Sequence, residues 1–277
     1  MLKTTIIFLL LTTANFTQVE NMTVTSFDST PIIYQKSGIG EQAIVFVHCW
    51  SCDKSYWQST IEYLSNTYTT IAIDLAGHGE SGLERTEWTI ENYAKDVKAV
   101  IENENLKNVI LIGHSMGGPV ILSAAQLIGD NIRALIAVDT FQDIEGRWTD
   151  EQFEVFFKPF EEDFPSTTKA FVKSIFGENA DSNLVMMIAN DMSSAPQKVA
   201  LASFRSLFNF EEAPIFDETD IPVRFINSKR FPTNTINANK HIKDFELITI
   251  EDVGHFPMLE NPEEFNRILE MTIKQLK

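Results

Sequence analysis

The sequence is poor in cysteine. Among its 277 residues only Cys49 and Cys52 are cysteines, and no second C-x-x-C pair follows them. A structural zinc site needs a further pair of cysteine or histidine ligands, so we do not expect one. A thioredoxin-like redox role would require a different surrounding pattern. We therefore expect a structural or incidental role for both thiols, which could form a small disulfide in an oxidising compartment.

Basic residues are also scarce. Lysine and arginine total 22 against 39 aspartates and glutamates, which gives a net charge of −17 at neutral pH. Phosphate backbones and anionic lipids bind proteins through clustered cations, which an acidic chain of this kind does not offer. We therefore expect no nucleic-acid partner. The oligomeric state is left open by the sequence.

Long apolar runs are missing too. The run nearest the start, Ile6 to Leu11, is far shorter than the roughly 20 residues of a membrane-spanning helix. Lys3 precedes this run and small polar residues follow it, which is typical of a secretory signal peptide. We assign residues 1–17 to that peptide and expect a periplasmic or secreted protein without stable membrane insertion after processing. The alternative is an uncleaved surface anchor or a buried first strand.

The rest of the chain alternates strand-like and helix-like segments. Most strand-like runs are apolar on both faces, as in parallel strands covered by helices. The predicted strands are residues 22–27, 31–36, 43–48, 70–74, 108–113, 134–139, 222–227 and 245–250. Helix starts are indicated by Ser55 with Gln58, by Thr89, and by Asn261 with Pro262 and a capping-box glutamate. This pattern predicts an α/β fold with a doubly wound, mostly parallel, eight-stranded sheet, formed by residues 22–139 and 222–277.

Residues 140–221 interrupt this alternation between the sixth and seventh strands. They number 82, far more than one helix and two short loops need. Thr149 and Gln152 form a predicted capping box, and phenylalanines follow at helical spacing from Phe153 to Phe160. Further helices are predicted at 166–176, 182–190 and 196–208. This segment also holds 12 of the 21 phenylalanines, so we predict a helical lid with an apolar inner surface.

A G-x-S-x-G motif, Gly113 to Gly117, lies between the fifth predicted strand and a helix. In that setting the two glycines let strand and helix approach closely, while Ser115 is exposed in a strained conformation. The helix that follows directs free N–H groups at the same point. An oxyanion formed by attack of Ser115 would then meet the backbone amide of Met116.

Three further segments accompany the motif. Trp50 follows the third strand, where a second oxyanion amide is expected. A glycine-rich turn, Asp74 to Ser81, follows the fourth strand. His255 follows the last strand, and Glu260 with Asn261, Pro262 and two more glutamates comes after it.

With these motifs, the chain from Met22 to its end resembles the α/β-hydrolase family, in its lidded esterase, lactonase and haloperoxidase-like branch. The resemblance implies Ser115 as nucleophile, His255 as general base, and the amides of Trp50 and Met116 as the oxyanion hole. The chain departs from the family pattern at Cys49, where glycine is usual.

The acid is the second departure. The family usually carries it after the seventh strand, but residues 227–232 contain no carboxylate. Some members carry it at the end of the preceding strand, where this chain has Asp139. We therefore predict Asp139 as the acid, ahead of Asp143 and then Asp252, with a Ser–His dyad as the alternative.

The remaining candidates are assigned structural roles. His48 and His78 are expected to lie against each other at strand ends, His114 to pack beneath the nucleophile, and Asp74 to brace its turn. The predicted function is a serine hydrolase that cleaves a small, largely apolar ester or lactone through an acyl-enzyme on Ser115, with no cofactor and no metal. The alternatives are a cofactor-free haloperoxidase-like activity, a C–C bond hydrolase, and a non-turnover protein that binds a small ligand.

Overall fold

The computed structural model describes residues 20–276, so the predicted signal segment, residues 1–17, lies outside the described residues. Eight strands form one sheet in the order β1-β2-β4-β3-β5-β6-β7-β8. They are β1 (Glu20–Thr25), β2 (Pro31–Ser37), β3 (Ala43–Val47), β4 (Thr69–Ile73), β5 (Val109–His114), β6 (Ile132–Val138), β7 (Val223–Ser228) and β8 (Phe245–Ile250). Strand β2 pairs antiparallel with β1 and β4, and the other pairs are parallel. The predicted mostly parallel eight-stranded sheet is confirmed.

Eleven α-helices accompany the sheet in the described part of the chain. They are α1 (Gln58–Leu64), α2 (Ile90–Asn103), α3 (Gly117–Ile128), α4 (Asp150–Glu162), α5 (Phe164–Ile175), α6 (Ser182–Ser193), α7 (Gln197–Asn209), α8 (Glu212–Asp217), α9 (Thr235–His241), α10 (Pro257–Glu260) and α11 (Pro262–Gln275). No helix within residues 20–276 is long and apolar enough to cross a bilayer.

The central strands are buried on both faces. Every residue of β3 and β5 is inaccessible to solvent or nearly so, which requires helices on each side of the sheet. This burial explains why these strands read as continuous Val, Ile and Leu runs rather than as an alternation. The parallel pairing of β3, β5 and β6 places their carboxyl ends at one edge of the sheet.

Residues 140–221, from here on the insertion, contain helices α4 to α8 between β6 and β7. The predicted helical insertion at this place is confirmed. Helix α8 was not predicted, because its six residues include Pro214 and no side chain caps its start.

Side-chain caps begin several helices as predicted. The Thr89 hydroxyl accepts a hydrogen bond from the amide of Asn92. Thr149 and Gln152 form the complete capping box at the start of α4. The side chain of Asn261 accepts from the amide of Glu264 at the start of α11.

Two predicted helix starts need correction. Asp53, not Ser55, caps the first turn after β3, because its carboxylate accepts a hydrogen bond from the Ser55 amide at 2.7 Å. That turn is a 3₁₀ helix, Lys54–Trp57, and α1 begins only after it. At α11, the carboxylate of Glu264 pairs with Arg267 on the next turn instead of closing a capping box.

A buried ion cluster ties the first hairpin to α2. The guanidinium of Arg85 contacts Asp96 on α2 and Asp28 in the turn between β1 and β2. The Ser26 hydroxyl also donates to Asp96, at 2.6 Å. Arg85 and Asp96 are both almost fully buried, so each charge depends on the other for compensation.

Candidate active site

Ser115 occupies a tight turn between β5 and α3. Its φ is +51°, in the left-handed region that non-glycine residues seldom adopt. A Cβ added to Gly113 would lie 2.2 Å from the carbonyl oxygen of Gly117, and one added to Gly117 would lie 2.6 Å from that of Val47. Both positions therefore require glycine, and the predicted close approach of strand and helix is confirmed.

Asp139 and His255 lie in contact. Asp139 directly follows β6 and is fully buried, and its Oδ2 lies 2.6 Å from Nδ1 of His255. Its other oxygen accepts a hydrogen bond from the amide of Ser228 at 2.7 Å. Because Nδ1 faces the carboxylate, Nε2 is the ring nitrogen that can exchange a proton with a hydroxyl.

The structure does not bring the two weaker acid candidates to His255. Asp143 accepts hydrogen bonds from Asn237 and Asn234, and these bonds hold the pKa of its carboxyl below the usual value. Asp252 is exposed in the turn after β8. Only Asp139 among the three contacts the imidazole in the described part of the chain.

A cavity of about 520 Å³ lies over this site. Ser115, Asp139 and His255 all line it, so the three predicted residues open into one space. Half of the other lining residues are aromatic: Trp148 and seven phenylalanines of the insertion, among them Phe156 and Phe204.

An ion pair also lines this cavity. Arg147 Nη1 lies 3.0 Å from Glu212 Oε2. Burial raises the pKa of Glu212 above the ordinary glutamate value, although Arg147 opposes that change. The cavity is thus apolar over most of its surface, and its polar parts are the Ser115 site, the Arg147–Glu212 pair and the segment from Thr140 to Asp143.

The two predicted oxyanion residues, Trp50 and Met116, are both buried beside the site. Met116 directly precedes α3, and within residues 20–276 neither backbone amide donates a hydrogen bond to a protein acceptor. Neither residue is part of the cavity wall described above. The Trp50 indole instead donates to the Ala200 carbonyl at 2.7 Å, and its ring packs 4.8 Å from that of Phe204. Its side chain therefore anchors the insertion to the core.

The two cysteines are joined. Cys49 and Cys52 form a disulfide with their Cα atoms 5.3 Å apart, and both are buried. The bond encloses Trp50 and Ser51, and Ser51 has a φ of +56°. Of the open alternatives, the structure thus shows the small disulfide, in the loop where the family usually has glycine.

The other histidines contribute to packing. The rings of His48 and His78 lie 5.0 Å apart, as predicted. Burial lowers the pKa of His48 to about 4 and that of His78 to about 3, so both are neutral at physiological pH. His114 Nε2 donates to the backbone carbonyl of His255 at 2.6 Å, and burial holds the pKa of His114 well below its usual value.

Asp74 braces its turn, as predicted. Its carboxylate accepts hydrogen bonds from the backbone amides of Lys54 and Glu80 and pairs with the Lys54 ammonium. For the described residues, no group of three or more histidine, cysteine or acidic side chains is arranged to hold a metal ion.

Two contributors to the site had no assigned role in the sequence. Ser228 donates its amide to Asp139 and its hydroxyl to the Val253 carbonyl, so it links the acid to the histidine loop. Glu260 accepts hydrogen bonds from the amides on both sides of His255. The polar run 260–264 marks the place of Glu260 in the sequence without indicating these hydrogen bonds, and nothing local marks Ser228.

Known proteins resemble the chain over most of its length. A model of the alpha/beta hydrolase family matches residues 44–268. Karrikin insensitive 2 receptor IA of Petunia hybrida is 23% identical over 243 residues, which cover 82% of this chain and 88% of the receptor. A pimeloyl-acyl-carrier-protein methyl ester esterase of Wigglesworthia glossinidia brevipalpis is 24% identical over 268 residues, 88% of this chain and 98% of the esterase.

A solved structure shares the fold. An esterase from Exiguobacterium antarcticum superposes with a TM-score of 0.84 at 22% identity, over 92% of this chain and all of that one. The family match spans the turn that carries Ser115 and the loop that carries His255. The resemblance inferred from the motifs is thus confirmed, and the chain belongs to the alpha/beta hydrolase family.

Proposed function

We propose that the protein is a serine hydrolase that cleaves a small, largely apolar carboxylic ester or lactone. The observation that carries this proposal is the shared cavity of Ser115 and His255, with His255 held by a buried Asp139 at 2.6 Å. A carboxylate at Nδ1 fixes the imidazole tautomer that accepts a proton at Nε2. It also stabilises the imidazolium that forms when the proton arrives.

In the proposed reaction, His255 Nε2 takes the proton of Ser115 as Oγ attacks the substrate carbonyl carbon. The amides of Trp50 and Met116 stabilise the oxyanion. When the tetrahedral intermediate collapses, the C–O bond to the leaving alcohol breaks and His255 returns the proton to that oxygen. Water then attacks the acyl-enzyme by the same route, which releases the acid and restores Ser115.

The aromatic wall supports the choice of substrate. A cavity of about 520 Å³ lined by phenylalanines of the insertion favours an apolar acyl or alcohol part and fits a small ligand. In this proposal the insertion acts as the lid that encloses the substrate. One similar protein is a methyl ester esterase, which agrees with ester chemistry.

A second candidate is a protein that binds a small apolar ligand with little or no turnover. The similarity to a karrikin receptor over most of both chains favours this candidate. The same cavity and the same three residues would then hold a ligand. The two candidates differ in whether Ser115 forms an acyl-enzyme that water then hydrolyses.

The test is covalent labelling with a fluorophosphonate, together with hydrolysis of nitrophenyl esters of increasing acyl length. We expect labelling and turnover in the wild type, loss of both in Ser115→Ala, and retention of both in Ser123→Ala, a serine further along α3. A wild type that binds apolar ligands but shows no Ser115-dependent labelling or turnover would establish the binding protein instead.

A further inference from the structure

Glu260, at the end of α10, contacts the loop that carries His255. Its Oε1 accepts a hydrogen bond from the Phe256 amide at 3.0 Å. Its Oε2 accepts one from the Gly254 amide at 2.9 Å and one from the Gly177 amide, in the insertion, at 2.8 Å. One carboxylate thus holds three backbone N–H groups, and hydrogen bonds to an ionised acceptor are among the stronger ones in proteins.

The backbone of His255 is fixed by two further contacts. Its amide donates to the Ile175 carbonyl at 2.8 Å, and its own carbonyl accepts from His114 at 2.6 Å. The first of these partners is the last residue of α5, in the insertion. The histidine loop therefore contacts both the core beneath it and the insertion beside it.

The contact between the loop and the insertion is made by backbone atoms. A Cβ added to Gly254 would lie 2.3 Å from the Gly177 nitrogen, and one added to Gly177 would lie 2.9 Å from Glu260 Oε2. Within residues 20–276, Glu260 provides the only side-chain acceptor for the amides of Gly177 and Gly254. Without the Glu260 carboxylate, the amides of Gly177 and Gly254 would lose their acceptor where the two backbone segments touch, a costly arrangement.

From these contacts we infer that Glu260 is a positioning residue: it holds His255 against Asp139 and fastens the Ile175–Gly177 edge of the insertion to the histidine loop. The catalytic part of this inference rests on the proposed function. The 2.6 Å contact between His255 and Asp139 tolerates little displacement of the loop. If the insertion moves to admit substrate, the segment Ile175–Gly177 stays attached to the loop of His255. The movement then takes place in another part of the insertion.

The test compares Glu260→Gln and Glu260→Ala with a matched control, Glu263→Gln, an exposed glutamate in the first turn of α11. Glutamine keeps one acceptor oxygen and alanine keeps none. We expect kcat per titrated active site to fall roughly 10-fold in the first variant and roughly 100-fold in the second, the scale of a small misplacement of a catalytic group. KM should change little, and the control should match the wild type.

Two readouts separate positioning from a loss of folding. The first is rescue by the conservative variant: Glu260→Gln should retain more of kcat than Glu260→Ala at a similar KM, whereas a loss of folding would lower the fraction of active sites that can be titrated. Hydrogen exchange should rise together at residues 175–178 and 253–256 and stay unchanged in α4. Wild-type kcat in Glu260→Ala, or faster exchange in only one of the two segments, would overturn the inference. If the wild type shows no hydrolysis, the proposed function fails, while exchange still decides the link between the segments.

Discussion

Asp139 illustrates what one residue contributes to the site. It has a φ of +42° and is fully buried, and both of its carboxylate oxygens are engaged, one by His255 and one by the Ser228 amide. Such a residue has little freedom to reorient. Its role in the proposed mechanism is therefore to fix the imidazole, not to exchange protons itself.

A substitution at this position tests the assignment of the acid. Asp139→Asn should lower kcat on the order of 10³-fold or more, because an amide at Nδ1 favours the wrong imidazole tautomer. Asp143→Asn should have a small effect, since Asp143 binds Asn234 and Asn237 instead. Steady-state kinetics on the best nitrophenyl ester checks both. Equal and mild losses would show that His255 works without Asp139.

The sequence allowed Ser115 and His255 to be predicted because each lies in a recognisable local motif at a strand end. Asp139 was harder to predict, since its contact with His255 joins residues far apart in the chain. The place after the seventh strand where the family usually carries the acid begins instead with Asn227. The hydrogen bonds of Glu260 were beyond sequence reasoning. They depend on where the Gly177 amide lies in space, which no local pattern encodes.

At the scale of elements, the ion cluster around Arg85 fastens the first hairpin to α2. Burial raises the pKa of Asp28, but the hydrogen bonds from Arg85 and Thr30 and the charge of Arg85 together outweigh burial and lower that pKa from 3.8 to about 2. The folded state therefore binds this proton more weakly than the unfolded chain does. The resulting stabilisation is present above about pH 4 and is lost as the pH falls towards 2.

This linkage can be measured with Asp28→Asn. The free energy of unfolding in urea should be lower for the variant than for the wild type at neutral pH, and the difference should shrink steadily between about pH 4 and pH 2. Asp130→Asn is the control, because Asp130 is exposed and forms no ion pair within the described residues. A difference between wild type and Asp28→Asn that does not depend on pH would contradict the assignment.

Elements with strong local signals were predicted closely. Thr89 and Thr149 cap their helices as their positions indicated, and the apolar strands lie within two residues of the predicted bounds. Helix α8 and the 3₁₀ turn at Asp53 were missed. Both are short, and packing against the core stabilises such short helices more than their own sequence does.

For the whole molecule, the insertion matters most, because its aromatic side chains both attach it to the core and enclose the cavity. The Phe204 ring packs against Trp50 and lies 5.7 Å from Phe156 and from Phe160, and it also lines the cavity. One side chain thus takes part in both functions. The doubly wound, mostly parallel sheet of the core was predictable from the alternation of strands with helices, but the way the five helices of the insertion pack was not.

The substitution Phe204→Ala should weaken the attachment of the insertion to the core and also enlarge the cavity. We expect the free energy of unfolding to fall, because part of a packed ring is lost. The decrease should be somewhat smaller than the about 3–5 kcal/mol lost when a fully buried phenylalanine is replaced by alanine, because Phe204 is only half-buried. The enlarged cavity should also shift the ester preference towards longer or bulkier acyl groups. Thermal unfolding and a series of nitrophenyl esters measure the two effects. Val155→Ala, at an exposed position on α4, should change neither.

The positions of the four tryptophans have a spectroscopic consequence. Trp50, Trp57 and Trp88 are buried, whereas Trp148 is 51% exposed and lines the cavity. Three indoles therefore emit from apolar surroundings whatever the cavity contains, while the fourth is exposed to water when the cavity is open. An apolar molecule that fills the space would displace that water. The long-wavelength part of the tryptophan emission thus reports whether the cavity is occupied. This measurement needs no added label and does not depend on turnover of the bound molecule.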